Sequence, residues 1–173
     1  SSVVETQKWE QEYSNINNLE IDLSICKLDI KVGDTENIKV EGINLSDQFE
    51  CRATGDKLKL EDDKLNINWF NTRNIIPEII LYLPENFEFD KIEITTGANE
   101  TNIENIESRK LDLEMGVGKY RIQNLKAQNC KIETGAGDSR IENASIEVLE
   151  LDGGIGQFVM NSEITNRADI DSG

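Results

Sequence analysis

Residues Cys130 to Asn143 read CKIETGAGDSRIEN, and their reading decides the fold. Ile132 stands between Lys131 and Glu133, the alternation of a strand with one buried face. Gly135-Ala136-Gly137 then requires a sharp change of direction, which glycine accepts without steric cost. Ile141 resumes the inward position, and Asn143 ends the unit. Nineteen positions earlier the same places hold Leu111, Leu113, Gly116, Gly118, Ile122 and Asn124; nineteen later they hold Leu149, Leu151, Gly154, Gly156, Met160 and Ser162. The first copy carries Ile92, Ile94, Gly97, Asn99, Ile103 and Asn105, and the last runs from Ala168 and Ile170 to Gly173. No insertion breaks the period.

A fixed period of this kind predicts stacked, near-identical units, none of which can bury its apolar face alone. Nineteen residues at about 3.3 Å each trace roughly 60 Å, one turn of a parallel β-solenoid whose successive turns lie about 4.8 Å apart. A propeller blade needs about forty residues, and the Leu-x-x-Leu-x-Leu spacing of a leucine-rich repeat is missing. The Asn105, Asn124, Asn143 column suits residues that tolerate the left-handed conformation and whose amides hydrogen-bond from turn to turn. About five turns are expected, the fifth incomplete at Gly173. Its open edge calls for a continuation of the chain, a capping loop or another molecule.

Working outward, residues 1–14 read as a polar lead-in, and residues 15–173 as a single all-β domain in which the strands of 15–90 cap and extend the repeats of 91–173. Strict alternation runs Leu19, Ile21, Leu23, Ile25, slips phase, and resumes at Leu28, Ile30 and Val32. Further strands are predicted at Ile38 to Val40, Phe49 to Ala53, Leu58 to Leu60 and Leu65 to Trp69. Ile79 to Leu83 is apolar at both parities, as a strand covered on both faces would be, and Pro84 stops it. No segment has a helical period.

Composition narrows the function. The chain carries 34 acidic and 18 basic residues, a net charge of -16. Without a Lys/Arg cluster, nucleic acid and anionic membrane surfaces are poor partners, whereas a protein or a neutral glycan fits. No run approaches the roughly twenty apolar residues of a membrane span, and the start Ser-Ser-Val-Val reads as a processed product. Cys26, Cys51 and Cys130 are too few for a disulfide framework. Cys130 takes the place of Ile or Leu in an inward column and is expected to be buried; a Cys26 to Cys51 bridge stays open. The chain has no His, which removes Ser-His and Cys-His catalysis and His-ligated metals.

The Gly-x-Gly triplets have no following helix and no P-loop Lys, so they read as turns and not as phosphate loops. The outward face of each first strand is sharper. One column reads Glu93, Asp112, Lys131, Glu150, Asp169 and the next Thr95, Glu114, Glu133, Asp152, Asp171. Like charges opposed on neighbouring strands are destabilising. A Ca²⁺ ion bound by Asp112, Glu114, Glu133, Glu150 and Asp152 would neutralise such a ladder, as would a basic protein partner; the plainest reading is a solvated face that keeps the sheet soluble. Carboxylates one or two turns apart also match glycosidase separations of roughly 5 to 9.5 Å. Missing for that chemistry are an insertion to wall a cleft, aromatic platforms, and a carboxylate in an apolar setting. Trp69 continues an inward alternation and Phe70 faces the other way beside Arg73, a candidate contact patch for protein or sugar if it is not a covered edge.

Thr134-Gly-Ala-Gly-Asp138 followed by Ile141-Glu-Asn143, with Thr96-Gly-Ala98 and the strands Leu19 to Gly33 and Ile79 to Pro84, resembles the bacterial putative-adhesin domain of unknown function, the toastrack domain, over about residues 15–173. The resemblance implies an extracytoplasmic β-solenoid-like domain, often on a protein anchored in the membrane upstream, with no catalytic residues and no cofactor to carry over. The expected function is a non-catalytic binding or scaffold module of a bacterial envelope protein. The alternatives are a Ca²⁺-dependent adhesive module and, last, a glycan-active enzyme.

Overall fold

The computed structural model describes residues 7–62 and 76–172. Among them all regular structure is β: β1 (Lys8–Tyr13), β2 (Asn18–Val32), β3 (Ile38–Ile43), β4 (Glu50–Thr54), β5 (Lys57–Glu61), β6 (Glu78–Leu83), β7 (Phe89–Gly153) and β8 (Phe158–Ser172). The predicted strand from Leu65 to Trp69 lies outside the described residues.

β2 is the spine. On one edge it runs parallel to β7, from Asn18 opposite Lys91 to Ile30 opposite Ile103. On the other edge it runs parallel to β5 with its first half and to β6 with its second. β3 is antiparallel to β6, β1 to β3, and β4 to β5, so short antiparallel strands finish that side.

Alternation explains these strands, with three corrections. In β2, Leu19, Ile21 and Leu23 are buried, but Ile25 is 42% exposed and Cys26 takes the inward place at 2%. The phase slip therefore falls one residue before the position that apolar character alone suggests. The cause is close stacking, since a Cβ on Gly97 would lie 2.6 Å from the Ser24 carbonyl, and at that bend a small thiol fits inward. β6 alternates half-buried and buried positions, so Ile80 and Tyr82 line an outer face instead of a second covered layer. The Lys39 ammonium lies over the Tyr82 ring at 5.6 Å and supplies the cover there. Within the lead-in, Lys8–Tyr13 pair with β3 as β1, on the strength of two half-buried aromatic residues. Trp9 meets the Phe49 ring edge-on at 5.8 Å.

β7 spans 65 residues, far too long for one straight strand, and it stacks on itself. A Cβ on Gly137 would lie 1.9 Å from the Gly118 carbonyl, nineteen residues back. The same offset sets β8 against β7 in parallel, with Ser139 opposite Phe158, Leu149 opposite Ala168 and Asp152 opposite Asp171. Between these, the register slips at Ile141/Ala144 and again at Ile146/Val148. The inward columns Ile92/Ile94, Leu111/Leu113, Cys130/Ile132 and Leu149/Leu151 are buried and join β2, β5 and β6 in one apolar cluster. Cys130 is 3% exposed, in the core as its column requires.

The Asn column stacks, but not through left-handed backbone. Among described non-glycine residues only Asn15, Asn44 and Asn86 have positive φ. Asn143 Nδ2 donates to Asn124 Oδ1 at 3.2 Å, and Asn124 Nδ2 donates to the Glu104 carbonyl at 3.2 Å. The amides are retained for their bonds along the stack.

Candidate functional site: the outward charged face

Parallel stacking with alternating inward residues leaves Glu93, Asp112, Lys131, Glu150 and Asp169 in one outward column and Glu114, Glu133, Asp152 and Asp171 in the next. The face is less one-sided than these two columns suggest. Two positions earlier stand Lys91, Lys110, Asn129, Val148 and Arg167, again nineteen apart. Cations from this column reach forward along their own strands: Lys91 pairs with Glu93, and Arg167 with Asp169 at 3.5 Å. Lys131, inside the first acidic column, pairs with Glu133 at 3.2 Å. The missed cations were readable by the same period, taken two positions upstream.

The five predicted cation ligands separate on this face. Asp112 and Glu150 flank a shallow hollow of about 340 Å³, together with Lys91, Lys110, Lys131 and Arg167. Glu133 is engaged by Lys131. Glu114 and Asp152 are exposed, farther along the strands. Partial burial raises the Asp112 carboxyl above its ordinary range; Lys131 opposes this, and the Glu93 and Glu133 carboxylates add to it. The Lys131 ammonium is held up in turn by its bond to Glu133 and by the field of Glu150 and Asp112. Among the described residues no three acidic or thiol side chains gather as a metal site. Trp69, Phe70 and Arg73 lie outside the described residues.

Two further hollows escaped the sequence reading. One, of about 580 Å³, lies on the second outward face beside Lys119, Arg121, Asp138 and Arg140, where Arg121 Nη2 donates to Glu142 at 2.6 Å. The other, about 530 Å³, lies at Trp9, Phe49, Cys51 and Arg52. It depends on β1, whose pairing no period announced. All three cysteines are free, so the Cys26 to Cys51 bridge is absent. Burial pushes the Cys26 thiol up to about 11, with the Asn99 amide opposing, and the Cys130 thiol up to about 12. These are packing groups and not nucleophiles.

Chemically, the charged faces can hold polar or oppositely charged partners by shape and field, over open hollows where water screens each pair. The family model of Toastrack DUF4097 matches residues 16–172. Comparison with curated proteins gives no match. The crystal structure of a "putative cell adhesion protein" from Clostridium sporogenes is similar with TM-score 0.66 at 14% identity, over 91% of this chain and 99% of that one. That of a "putative adhesin" from Bacteroides fragilis gives TM-score 0.46 at 14% identity, over 95% and 96%. At such identities the likeness is one of fold.

Proposed function

Because this chain belongs to the Toastrack DUF4097 family, we propose that it is a non-catalytic binding or scaffold module of a bacterial cell envelope, displayed outside the cytoplasm. Its repeats then form a parallel β-solenoid of nineteen-residue turns, and its ligand is a protein or neutral glycan at the cell surface. The observation that carries the reading is the outward face itself. Carboxylates alternate with Lys and Arg over shallow hollows, and the raised Asp112 carboxyl stands beside Lys131 without an apolar enclosure. Such a face recognises a partner; general acid catalysis asks for a carboxylate in a closed apolar setting. The fold shared with the Clostridium sporogenes cell adhesion protein supports this direction. Among the described residues no helix is long and apolar enough to cross a membrane, so attachment to the envelope would come from another segment.

The test is capture. The purified domain, immobilised, should retain envelope proteins or neutral glycans saturably, and Glu114→Lys with Asp152→Lys should alter retention while leaving the melting temperature within a few degrees. Absence of saturable retention from both classes of ligand would sink the reading.

Ca²⁺-dependent adhesion through Asp112, Glu114, Glu133, Glu150 and Asp152 is the second reading, favoured by the proton affinity of Asp112 between Glu93 and Glu133. Thermal unfolding separates the two. Equal shifts in Ca²⁺ and Mg²⁺ at matched ionic strength are expected from a screened face, and a Ca²⁺-selective rise would give the ladder a specific ion.

A further inference from the structure

Among the described strands, β8 pairs only with β7. Leu151 is 7% exposed because Ile170 lies against it from the next strand, whereas Ile170 is itself 62% exposed. Ile155 and Val159 are 82% and 46% exposed, so half of the six exposed large apolar side chains belong to this end of the stack. A strand edge with unpaired N–H and C=O groups over an open apolar end is a template for another strand.

The sequence of β8 specifies which strand fits. Written antiparallel against itself with Thr165 at the centre, Glu163 stands opposite Arg167 twice, Met160 opposite Ile170 twice, and Ser162 opposite Ala168. Asn161 faces Asp169 and Val159 faces Asp171, and no like charges oppose. Met160 and Ile170 both lie in inward columns, opposite Ile141 and Leu151 in β7, so this pairing brings apolar side chains to apolar side chains on one face. Centring on Asn166 sets Glu163 against Asp169, and centring on Ile164 leaves Arg167 opposite Asn161. The irregularity of β8 between Ile164 and Arg167 falls at the same centre, where the strand bends and each arm can meet the other arm of a partner.

We propose that two copies of this chain associate end to end through β8, antiparallel about a two-fold axis at Thr165, with reciprocal Glu163–Arg167 pairs fixing the register. Such an interface is isologous and closes at two copies. The occupant of the edge is a second copy because the strand complements its own reverse in both charge and polarity.

Sedimentation equilibrium from micromolar to near-millimolar protein, at about 0.15 M salt to screen the net charge, tests it. A monomer–dimer equilibrium is expected. Glu163→Arg alone, or Arg167→Glu alone, sets like charges opposite one another twice and should weaken dimerisation by about tenfold or more. The double exchange restores the pairs and should recover the dimer. Melting temperature and circular dichroism of each variant check that the fold is intact; both residues are exposed, so neither change should unfold it. A chain monomeric throughout, association continuing beyond two copies, or single variants that dimerise like the unmodified chain would each overturn the proposal.

Discussion

Gly135 and Gly137 stand two apart in one corner and are required for different reasons. Gly137 has φ of 135°, and an added Cβ would also strike the Gly118 carbonyl at 1.9 Å. Gly135 needs no left-handed backbone; a Cβ there would sit 2.6 Å from the Gly116 carbonyl. Gly55 is the control, with φ of 59° and open space where a Cβ would go. Urea unfolding should show Gly137→Ala costing roughly 3 kcal/mol or more and Gly55→Ala about 1 kcal/mol. Equal losses at the two sites would mean that stacking is looser than it looks. Charge at single residues divides by sign. Burial pushes the Glu20 carboxyl up, but Lys57 and Lys59 outweigh it and hold it low. Its folded pKa is depressed, so its contribution is present above the ordinary carboxylate range and is lost as pH falls through the folded value. Asp112 runs the other way: its raised carboxyl costs stability above the folded value and less below it. Stability curves from pH 7 to pH 3 should therefore show Glu20→Gln losing stability near neutrality and converging with the unmodified chain in acid. Asp112→Asn should gain near neutrality and converge likewise. A crossed pattern would contradict these assignments.

Among elements, the β7 repeats were legible because each turn states its pattern again, so Ile132 is confirmed as inward by Leu113 and Leu151 before any coordinate is known. β1 was illegible for the opposite reason: Trp9 and Tyr13 are its only large apolar residues, and its stability comes from β3, whose position no local pattern reveals. Ile25 and Cys26 were misread because hydropathy favours Ile inward, while the close approach of Ser24 and Gly97 favours the smaller side chain. The outward face was half legible. Its carboxylates were plain, whereas their neutralisation by Lys91, Lys131 and Arg167 emerges only when neighbouring positions are read as pairs along a strand. The Asn ladder carries a testable contribution of its own. Asn143→Ala removes its bond to Asn124 and should cost about 1 kcal/mol in denaturant unfolding, with Asn143→Gln failing to restore it because a longer side chain misplaces the amide. Full rescue by Gln would mean that the column contributes polarity and not alignment.

For the molecule as a whole, the described strands form one connected sheet in the order β1, β3, β6, β2, with β7 and then β8 on the far side of β2. That order sets how the protein answers mechanical load. A pull applied between β1 and β8 acts across the strands, along the ladders' hydrogen bonds, so bonds break a few at a time instead of sharing the load in shear. Single-molecule stretching should then yield at low force in a sawtooth, each step releasing nineteen residues, or roughly 60 Å of contour. One abrupt high-force rupture would mean that the stack shares load across its turns. An envelope protein built in this way would act as an extensible leash, lengthening under tension by shedding one turn at a time and winding back when the tension falls.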